Sequence, residues 1–390
     1  MTEKPRIYLD NQATTRCDPR VLAAMLPWFV EEYGNPHSVE HAMGRRAEEA
    51  VEAARAEVAA LIGAEPREIV FTSGATESNN IAIKGAARFV RGRDDARRRI
   101  VTVATEHKCV LESVGDLAAE GFEPVLLPVN TDGLFDPDRL REALRTPTLL
   151  VSIMTVNNEI GTVQDIPALA AIARQEGALF HTDAAQAAGK IPLDATGWGV
   201  DLLSLSGHKI YGPKGVGALF VRRRPRVRLA PLFSGGGQER GLRSGTLPAP
   251  LIVGLGEACR IARAEMAEEA GRLTVLRERL LSGLVAAIPG VRMNGSMRAR
   301  IPGNLNLTFP GATAAELMER APELCLSTGS ACSSAEIEPS YVLRALGLPD
   351  SEAARTLRLG IGRFNSAADV DQAVASLAAA HARTPVSADA

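Results

Sequence analysis

Short apolar runs alternate with amphipathic segments along most of the chain. Apolar positions recur at helical spacing over residues 40–62, which predicts a long helix that ends at Gly63. Seven later apolar runs are bounded by turn residues and are predicted strands, at 68–74, 99–107, 123–129, 148–159, 178–186, 200–209 and 215–223. Helices are predicted between most of them, at 74–91, 108–121, 137–145 and 165–176. This alternation predicts an α/β fold whose mostly parallel sheet is covered on both faces.

The pattern changes after about residue 260. A long charged helix is predicted over 256–288, and it leads to the stretch GNLNLTFPG and then to a helix–loop–helix region. This order of elements predicts a second, smaller α+β unit that the long helix joins to the first. We expect a large domain of residues 16–262 and a small domain formed by residues 1–15 and 263–390.

The net charge of −2 argues against broad binding to nucleic acids or membrane surfaces. Hydrophobic residues make up 46% and charged residues 23% of the 390 residues, which is ordinary for a soluble globular protein. No apolar run is long enough to span a bilayer. The local exception in charge is VRRRPRVRLAP at 221–231, with five arginines. A solvated loop is the favoured interpretation of this run, and a docking patch for an acidic partner or for RNA is the alternative.

The cysteines are scattered and form no CxxC pair: Cys17, Cys109, Cys259, Cys325 and Cys332. Such a set disfavours a disulfide framework and a zinc site, and it fits a reducing cytoplasm. The first residues, MTEKPRIYLDNQATT, show neither an apolar signal core nor an arginine-rich leader. We therefore expect a cytoplasmic protein.

Polar residues stand where the predicted strands end. The first strand runs into TSGATESNN, in which Ala75 and Thr76 open a helix and leave backbone N–H groups free for an anion such as phosphate. An ordinary helix cap explains this segment equally well. Later strand ends carry His107, then Asn158, then Asp183 with Gln186, and finally Ser206 with His208 and Lys209.

The order of these residues is more informative than any one of them. Taken singly, Asp183 is typical of a helix cap and Lys209 of a surface lysine. In an open parallel sheet, however, ligands bind at the carboxyl ends of the strands, so these side chains should meet. Pyridoxal 5'-phosphate (PLP) requires such a set: a phosphate cup, a carboxylate for the ring nitrogen and a lysine that bonds to the cofactor.

Ten motifs resemble, in the same order, those of the group I cysteine desulfurases of the NifS/IscS type. They are YLDNQATT, GNPHS, FTSGATESNN, TEHK, VNNEIG, HTDAAQ, SGHKIYGPKG, GGGQERGLRSGT, GSACSSAEIEPSYVLRALG and RLGIGRF. The resemblance extends from about residue 6 to 366, nearly the whole chain. It implies the fold of the class V aminotransferases, which is the aspartate aminotransferase-like fold type I of PLP-dependent transferases.

The resemblance implies a PLP site at the strand ends. In it, Lys209 carries the cofactor, Asp183 pairs with the ring nitrogen, and His107 lies against the ring and relays protons. Thr246, in RSGT, matches a residue that reaches the phosphate of the neighbouring subunit, so a homodimer with shared sites is expected. The remaining implied cofactor contacts are Ala75, Thr76, Asn158, Gln186, Ser206 and His208.

The resemblance also implies how the substrate L-cysteine is bound and attacked. Arg358 matches an arginine that clamps the substrate carboxylate, and Asn35 and Asn158 match further substrate contacts. Cys332, in a loop of small polar residues, matches the catalytic thiol that takes the sulfur as a persulfide while L-alanine leaves. Only the thiolate is a good nucleophile, so Cys332 needs a base or an environment that deprotonates it.

The expected function is therefore that of a cysteine desulfurase that supplies sulfur for iron–sulfur cluster assembly and, as a further outlet, for tRNA thiolation. The expected partner is a sulfur-acceptor protein such as an iron–sulfur scaffold, with no membrane and no direct nucleic acid. No metal site is predicted, although Cys332 could transiently touch a cluster on the partner. Related enzymes usually continue into a tail that helps to dock the scaffold, and ARTPVSADA does not resemble it, so the acceptor stays open.

Two alternatives remain open on the sequence. The first keeps the fold and changes the reaction, to a selenocysteine lyase or to another class V PLP enzyme such as a kynureninase-like enzyme or an aminotransferase. These reactions need no mobile loop thiol, so Cys332 discriminates against them. The second is a non-catalytic sulfur-relay scaffold, against which the retention of Lys209, Asp183 and His107 argues.

Overall fold

Three sheets organise the chain in the computed structural model, which describes residues 6–91, 93, 95–328 and 339–383. Their strands are β1 (Ile7–Tyr8), β2 (Ile69–Thr72), β3 (Arg99–Val103), β4 (Glu123–Leu127), β5 (Thr148–Ser152), β6 (Leu179–Asp183), β7 (Leu202–Ser206), β8 (Gly217–Val221), β9 (Arg292–Met293), β10 (Asn304–Thr308), β11 (Leu324–Cys325) and β12 (Thr356–Gly360). The large sheet has the order β2-β8-β7-β6-β5-β3-β4, a smaller sheet has the order β12-β10-β9, and β1 pairs with β11.

Helices connect and cover these strands. The α-helices are α1 (Pro19–Met25), α2 (Pro27–Val30), α3 (Ala42–Leu61), α4 (Ala75–Arg91), α5 (Lys108–Asp116), α6 (Pro137–Ala143), α7 (Ile166–Gln175), α8 (Ala195–Trp198), α9 (Ala249–Ala287), α10 (Ala314–Arg320), α11 (Tyr341–Ala345), α12 (Asp350–Ala353) and α13 (Ala367–Ala382). Short 3₁₀ helices span Pro66–Glu68, Leu117–Glu120, Gly207–Lys209 and Glu239–Gly241. Among the described residues, no helix is both long and apolar enough to cross a membrane.

The large sheet confirms the predicted α/β fold with a mostly parallel sheet. Strands β7, β6, β5, β3 and β4 are parallel neighbours, and only β8 among the strands of this sheet runs antiparallel to both of its neighbours. Successive side chains of a strand point to opposite faces. Val70 and Ile100 pack with α4 and α5 on one face, and the next residues, Phe71 and Val101, pack with α3, α7 and α9 on the other. Helices therefore cover both faces, as the apolar strands predicted.

Helix α9 begins seven residues before the predicted start at 256, at Ala249. The glycines in this first stretch weaken the helical signal of the sequence. They are nevertheless required by packing, because a Cβ on Gly254 would lie 2.5 Å from the Met25 Sδ and a Cβ on Gly256 would lie 2.6 Å from the Ala54 Cα. The contact of α9 with α1 and α3 therefore selects residues that helix propensity disfavours.

The same helix takes part in two apolar cores. Its first half contributes Ile252 and Ile261 to the core of the large sheet. Its second half contributes Leu280 and Leu284 to a separate core around the smaller sheet, to which β1 adds Ile7. The predicted domain boundary at 262/263 falls between these halves, and the division into domains stays a prediction.

Candidate active site

A cavity of about 430 Å³ lies where the strands of the large sheet end. Its lining comes from the segments that follow β2, β3, β5, β6 and β7, together with the N-terminal segment and β12. Parallel strands bring their carboxyl ends to one edge, which is why residues distant in sequence meet here. The cavity brings together these predicted site residues: Ala75, Thr76, His107, Asn158, Asp183, Gln186, Ser206, His208, Lys209 and Arg358.

One end of the cavity has the geometry of an anion cup. The backbone N–H groups of Ala75 and Thr76 open α4 and have no acceptor among the described residues. Gly74, with φ of 150°, makes the turn into the helix, and a Cβ there would lie 3.7 Å from the Ser206 Oγ. A Cβ on Gly217 would lie 2.6 Å from the Gly74 Cα, so β8 needs a glycine at this point. Free N–H groups at a helix start attract phosphate.

Asp183 ends β6 inside the cavity and is held by two hydrogen bonds. Asn79 Nδ2 donates to Asp183 Oδ2 at 2.7 Å, and the backbone N–H of Ala185 donates to Oδ1 at 2.9 Å. Neutral donors fix the carboxylate without neutralising it. Asn79 had no predicted role, although its place one turn after Ala75 in TSGATESNN could have indicated that it faces the same cavity.

Lys209 lies beside Gln186 at the end of the segment that follows β7. Its Nζ donates to the carbonyl oxygens of Gln12 and Ala13, each at 2.6 Å. Gln186 Nε2 donates to the same Gln12 carbonyl at 2.8 Å. Gln12 belongs to the motif YLDNQATT, but its role rests on a backbone carbonyl, which the identity of a side chain cannot reveal.

A second lysine, Lys190, lies behind Gln186. Its Nζ donates to Gln186 Oε1 at 2.9 Å. Burial and then the nearby positive charge of Lys209 lower the pKa of Lys190 to about 7, against the opposing effect of Glu269. Lys190 thus fixes which end of the Gln186 amide faces the cavity. It follows HTDAAQ at helical spacing, and no other signal in the sequence pointed to it.

His107 caps the start of α5. Its Nδ1 accepts the backbone N–H of Cys109 at 3.2 Å and lies 3.0 Å from the Cys109 Sγ. Because Nδ1 is an acceptor, the neutral ring carries its proton on Nε2. The adjacent Glu106 is fully buried, and burial raises its pKa well above the ordinary range. Burial therefore favours the protonated form of the Glu106 carboxyl group, which is next to His107 in the chain.

His208 is kept neutral in the cavity. Burial, followed by the positive charges of Lys209, Lys214 and Lys190, lowers its pKa to about 4. Its Nδ1 lies 3.1 Å from the Thr14 Oγ1. A neutral ring can donate a single hydrogen bond to an anion without adding charge to this lysine-rich wall.

Arg358 reaches the cavity from the smaller sheet and is 2% exposed. Its Nη1 donates to the Asn158 carbonyl at 3.0 Å and its Nη2 to Asp10 Oδ1 at 2.7 Å. Asp10 Oδ1 also accepts from the Ser327 Oγ at 2.9 Å. Asp10 was not predicted as a site residue, and only the parallel contact of the N-terminal segment with Gly360 brings it near Arg358.

Two of the predicted site residues do not line this cavity. Asn35 and Thr246 are exposed and are not among its lining residues. The Asn35 Oδ1 instead accepts the backbone N–H of His37 at 3.0 Å. Cys332 lies outside the described residues.

The cavity fits a phosphorylated aromatic ring. It combines the anion cup, a carboxylate at Asp183 and an amine at Lys209, and the buried Asn158 Oδ1 has no hydrogen-bond partner among the described residues. An unpaired buried acceptor is unfavourable unless a ligand donates to it. A ring hydroxyl would be such a donor.

Comparison with known proteins identifies the family. Residues 7–373 match the family model described as aminotransferase class-V. The chain is 55% identical over 368 residues to the mitochondrial cysteine desulfurase of Arthroderma benhamiae. This alignment covers 94% of this chain and 73% of that protein. It is 54% identical over 368 residues to the cysteine desulfurase of Homo sapiens, with 94% and 80% covered. A solved NifS-like protein superposes with a TM-score of 0.89 at 37% identity, covering 97% of this chain and 99% of that one.

The relatives contradict the predicted cytoplasmic location. Those of Arthroderma benhamiae, Drosophila melanogaster and Arabidopsis thaliana are named as mitochondrial enzymes. The prediction was wrong because its physical basis was too coarse: unpaired cysteines indicate a reducing compartment and do not distinguish one such compartment from another.

The family assignment follows from both the length and the level of these matches. The family model spans almost the whole chain, and relatives above 50% identity cover more than nine-tenths of it. Members of this family are PLP-dependent. The chain belongs to the class-V aminotransferase family and, within it, to the cysteine desulfurases, which convert L-cysteine to L-alanine and pass on the sulfur.

Proposed function

We propose that the enzyme acts with PLP held in the described cavity, with Lys209 as the residue that bonds to the cofactor. The observation that carries this proposal is the convergence of Lys209, Asp183 and the anion cup of Ala75 and Thr76 on one cavity. PLP, when bound, serves as an electron sink for the substrate carbon that loses its proton. Every other task falls to residues of the chain.

Asp183 and His107 divide the proton chemistry. The Asp183 carboxylate, fixed by Asn79 and Ala185, is suited to hold a proton on the ring nitrogen. His107, with its proton on Nε2, is suited to pass a proton within the cavity, and the Lys209 amine is a second carrier. Gln186 and Asn158 are suited to hold the ring hydroxyl, since Asn158 Oδ1 still lacks a donor.

Ser206 and His208 complete the cofactor contacts. The Ser206 Oγ faces the turn at Gly74, where it can donate to a phosphate oxygen held by the cup. The His208 ring is neutral because its pKa is lowered to about 4, so it adds a hydrogen bond and no charge. Both residues would thus position the phosphate rather than neutralise it.

Arg358 is proposed to bind the substrate carboxylate. It is a planar donor on the cavity wall, and its other contacts, to Asp10 and Asn158, hold the guanidinium in place. A bidentate pair with a carboxylate would set the orientation of L-cysteine above the ring. Asn158 would then contribute to both the cofactor and the substrate side.

Cys332 is proposed as the thiolate that attacks the substrate sulfur. In this step the S–Cβ bond of the substrate breaks, a bond to the Cys332 Sγ forms, and the products are a Cys332 persulfide and L-alanine. Cys332 lies outside the described residues, but both ends of its segment contact the site. The Ser327 carbonyl accepts the N–H of Arg358 at 2.8 Å, and the Tyr341 hydroxyl donates to the Glu106 carbonyl at 2.7 Å.

The enzyme is further proposed to be a homodimer with shared active sites. Asn35 and Thr246 are exposed and do not line the cavity of their own chain, which is what we expect of residues that complete the site of a partner subunit. The apolar side chains of Phe29, Val30 and Tyr33 are exposed close to Asn35 in sequence, and a second subunit would cover them. The sulfur would pass from Cys332 to an acceptor protein that supplies iron–sulfur cluster assembly, with tRNA thiolation as a further outlet.

The test is the release of L-alanine and sulfide from L-cysteine in the presence of a thiol reductant. The parent protein and Cys332→Ala should both be yellow, whereas Lys209→Ala should lose the cofactor band on dialysis. Only the parent should form alanine. A Cys332→Ala protein with full turnover of L-cysteine would remove the persulfide step, and full turnover of L-selenocysteine alone by that variant would favour a selenocysteine lyase.

A further inference from the structure

Residues 235–246 form a mostly irregular segment between β8 and α9, and Thr246 lies at its exposed end. We call it the Thr246 segment. Five of its residues are glycines, a composition that by itself disfavours a fixed backbone. The side-chain contacts that hold the segment therefore decide where Thr246 lies.

The first contact is a buried ion pair between Glu239 and Arg55. The two carboxylate oxygens of Glu239 each accept from Arg55 at 2.8 Å, and Glu239 Oε2 also accepts the backbone N–H of Phe71 at 2.7 Å. Both charged side chains are at most 4% exposed. Glu239 has a φ of 48°, which a residue other than glycine keeps only where its surroundings hold it. Because Phe71 belongs to β2, this pair fixes the Thr246 segment to the strand that leads into the anion cup.

The second contact lies within the Thr246 segment. Gln238 Oε1 accepts the backbone N–H of Gly245 at 2.8 Å. Near this bond, a Cβ on Gly235 would lie 2.8 Å from the Ser244 Cβ, so the start and the end of the segment pack against each other. The segment is therefore folded back on itself, and a displacement of its anchors would be passed on to Thr246.

The third contact ties the end of the segment to the anion cup itself. Arg243 Nε donates to Glu77 Oε1 at 2.8 Å, and Glu77 Oε2 accepts the backbone N–H of Ser73 at 2.7 Å, directly before Gly74 of the cup. Burial disfavours the charged form of Glu77, but hydrogen bonds from Arg243 and Ser73 outweigh burial and lower the pKa of Glu77. The two side chains are 20% and 10% exposed. A charged, hydrogen-bonded pair with so little exposure holds its partners more firmly than a surface pair does.

We propose that Arg243 is a positioning residue for the cofactor site of the neighbouring subunit: bound to Glu77 beside its own cup, it sets where Thr246 lies. This inference rests on the proposed homodimer, in which Thr246 reaches the phosphate held by the partner's cup. Thr246 is exposed and does not line the cavity of its own chain. Each bound phosphate would then depend on its own cup and, through Glu77, Arg243 and Thr246, on the cup of the other chain.

The test is the titration with PLP of cofactor-free mixed dimers in which one chain carries Lys209→Ala. Only the other chain then gives the visible absorbance of lysine-bound cofactor. In the first arrangement Arg243→Gln is on the chain that keeps Lys209, so the Thr246 that reaches this site comes from a chain with Arg243. The Kd for PLP should stay within about threefold of that of a mixed dimer without Arg243→Gln.

In the second arrangement Arg243→Gln is on the chain that carries Lys209→Ala. The site that is measured then belongs to a chain without this change, but its Thr246 comes from the chain that lacks Arg243. The Kd for PLP should rise about tenfold, which is the usual effect of losing one hydrogen bond to a charged group. A merely structural role of Arg243 in its own chain would give the opposite order of the two arrangements.

The matched control is Arg88→Gln, which breaks another arginine–glutamate pair of α4, with Glu120, and should leave the Kd unchanged in both arrangements. Arg243→Lys, which keeps the charge and one bond to Glu77, should restore most of the affinity in the second arrangement. No weakening in the second arrangement, or an equal weakening in the first, would overturn the proposal. Thr246→Ala, placed as in the second arrangement, separates the two levels. If it leaves the Kd unchanged, the shared site is wrong and this proposal with it; if it raises the Kd and Arg243→Gln does not, only the role of Arg243 is wrong.

Discussion

His181 should make the stability of the enzyme depend on pH. The residue lies in the middle of β6 and is fully buried between two serines of the adjacent strands. Its Nδ1 lies 2.8 Å from the Ser152 Oγ, and its Nε2 lies 3.1 Å from the Ser204 Oγ. Burial lowers the pKa of His181 from 6.5 to about 4, and the negative charge of Asp183 opposes this shift only in part.

The sign and size of the effect follow from this shift. Between pH 6.5 and pH 4 the unfolded chain binds a proton that the folded chain does not, so the free energy of unfolding falls as the pH falls. The stabilisation is complete above the unfolded pKa and is lost as the pH falls to about 4. This difference between the folded and unfolded pKa of His181 corresponds to about 3 kcal/mol of the free energy of unfolding in full. About 2 kcal/mol of it should be lost between pH 7 and pH 4.5.

The assay is urea unfolding at pH 7 and pH 4.5 of the parent, His181→Gln and the control His37→Gln, in which an exposed histidine is replaced. All three proteins will lose stability in acid, because carboxylates such as Asp18 are held charged in the fold. His181→Gln should lose about 2 kcal/mol less than the parent over this range, whereas His37→Gln should follow the parent. If His181→Gln and the parent lose the same free energy, His181 is not the neutral buried group described above.

Three further variants test the site and the smaller core. Arg358→Lys should raise the KM for L-cysteine by at least about tenfold with a smaller change in kcat, because a lysine cannot form the planar bidentate pair. An unchanged KM in steady-state assays of alanine formation would contradict the proposed clamp. Cys109→Ala should keep the rate of alanine formation within about threefold of that of the parent, since the backbone N–H at this position still fixes His107 and a thiol is a weak donor. A larger loss of this rate would indicate that the Cys109 thiol has a chemical role. Leu280→Ala, at a fully buried position of α9, should lower the free energy of unfolding, measured by urea titration, by about 2–5 kcal/mol. The control Val285→Ala, at an exposed position of the same helix, should change this free energy by less than about 1 kcal/mol.

The pattern of apolar runs predicted the large sheet well, because a strand buried on both faces must be apolar along its whole length. The strands therefore stand out from the amphipathic helices around them. Strand β4 shows the limit of this argument, since it forms an edge and much of its surface is exposed. The direction of β8 also could not be read from its apolar residues, because an antiparallel strand with both faces covered has the same pattern.

The candidate site was predicted where its side chains follow strand ends, as with His107, Asp183 and Lys209. It was missed where the contact is made by a distant segment. Gln12 lies 197 residues from Lys209 in sequence, and it acts through its carbonyl oxygen. Asp10 is 348 residues from Arg358. Such contacts depend on how the N-terminal segment docks, and no local pattern of residue types encodes that docking.

The proposed carboxylate clamp at Arg358 would give the joint between the two cores a role in catalysis. Arg358 belongs to β12 of the smaller sheet, yet its guanidinium contacts the Asn158 carbonyl beyond the end of β5 in the large sheet. The backbone N–H of the same residue holds Ser327, the point from which the chain continues towards the segment of Cys332. A movement of the smaller sheet would therefore shift the proposed carboxylate clamp and the start of the thiol segment together. Only interactions that are stronger in the transition state than in the ground state raise kcat. The joint movement of the clamp and the thiol segment would therefore affect kcat most at the step in which the thiol attacks the substrate sulfur.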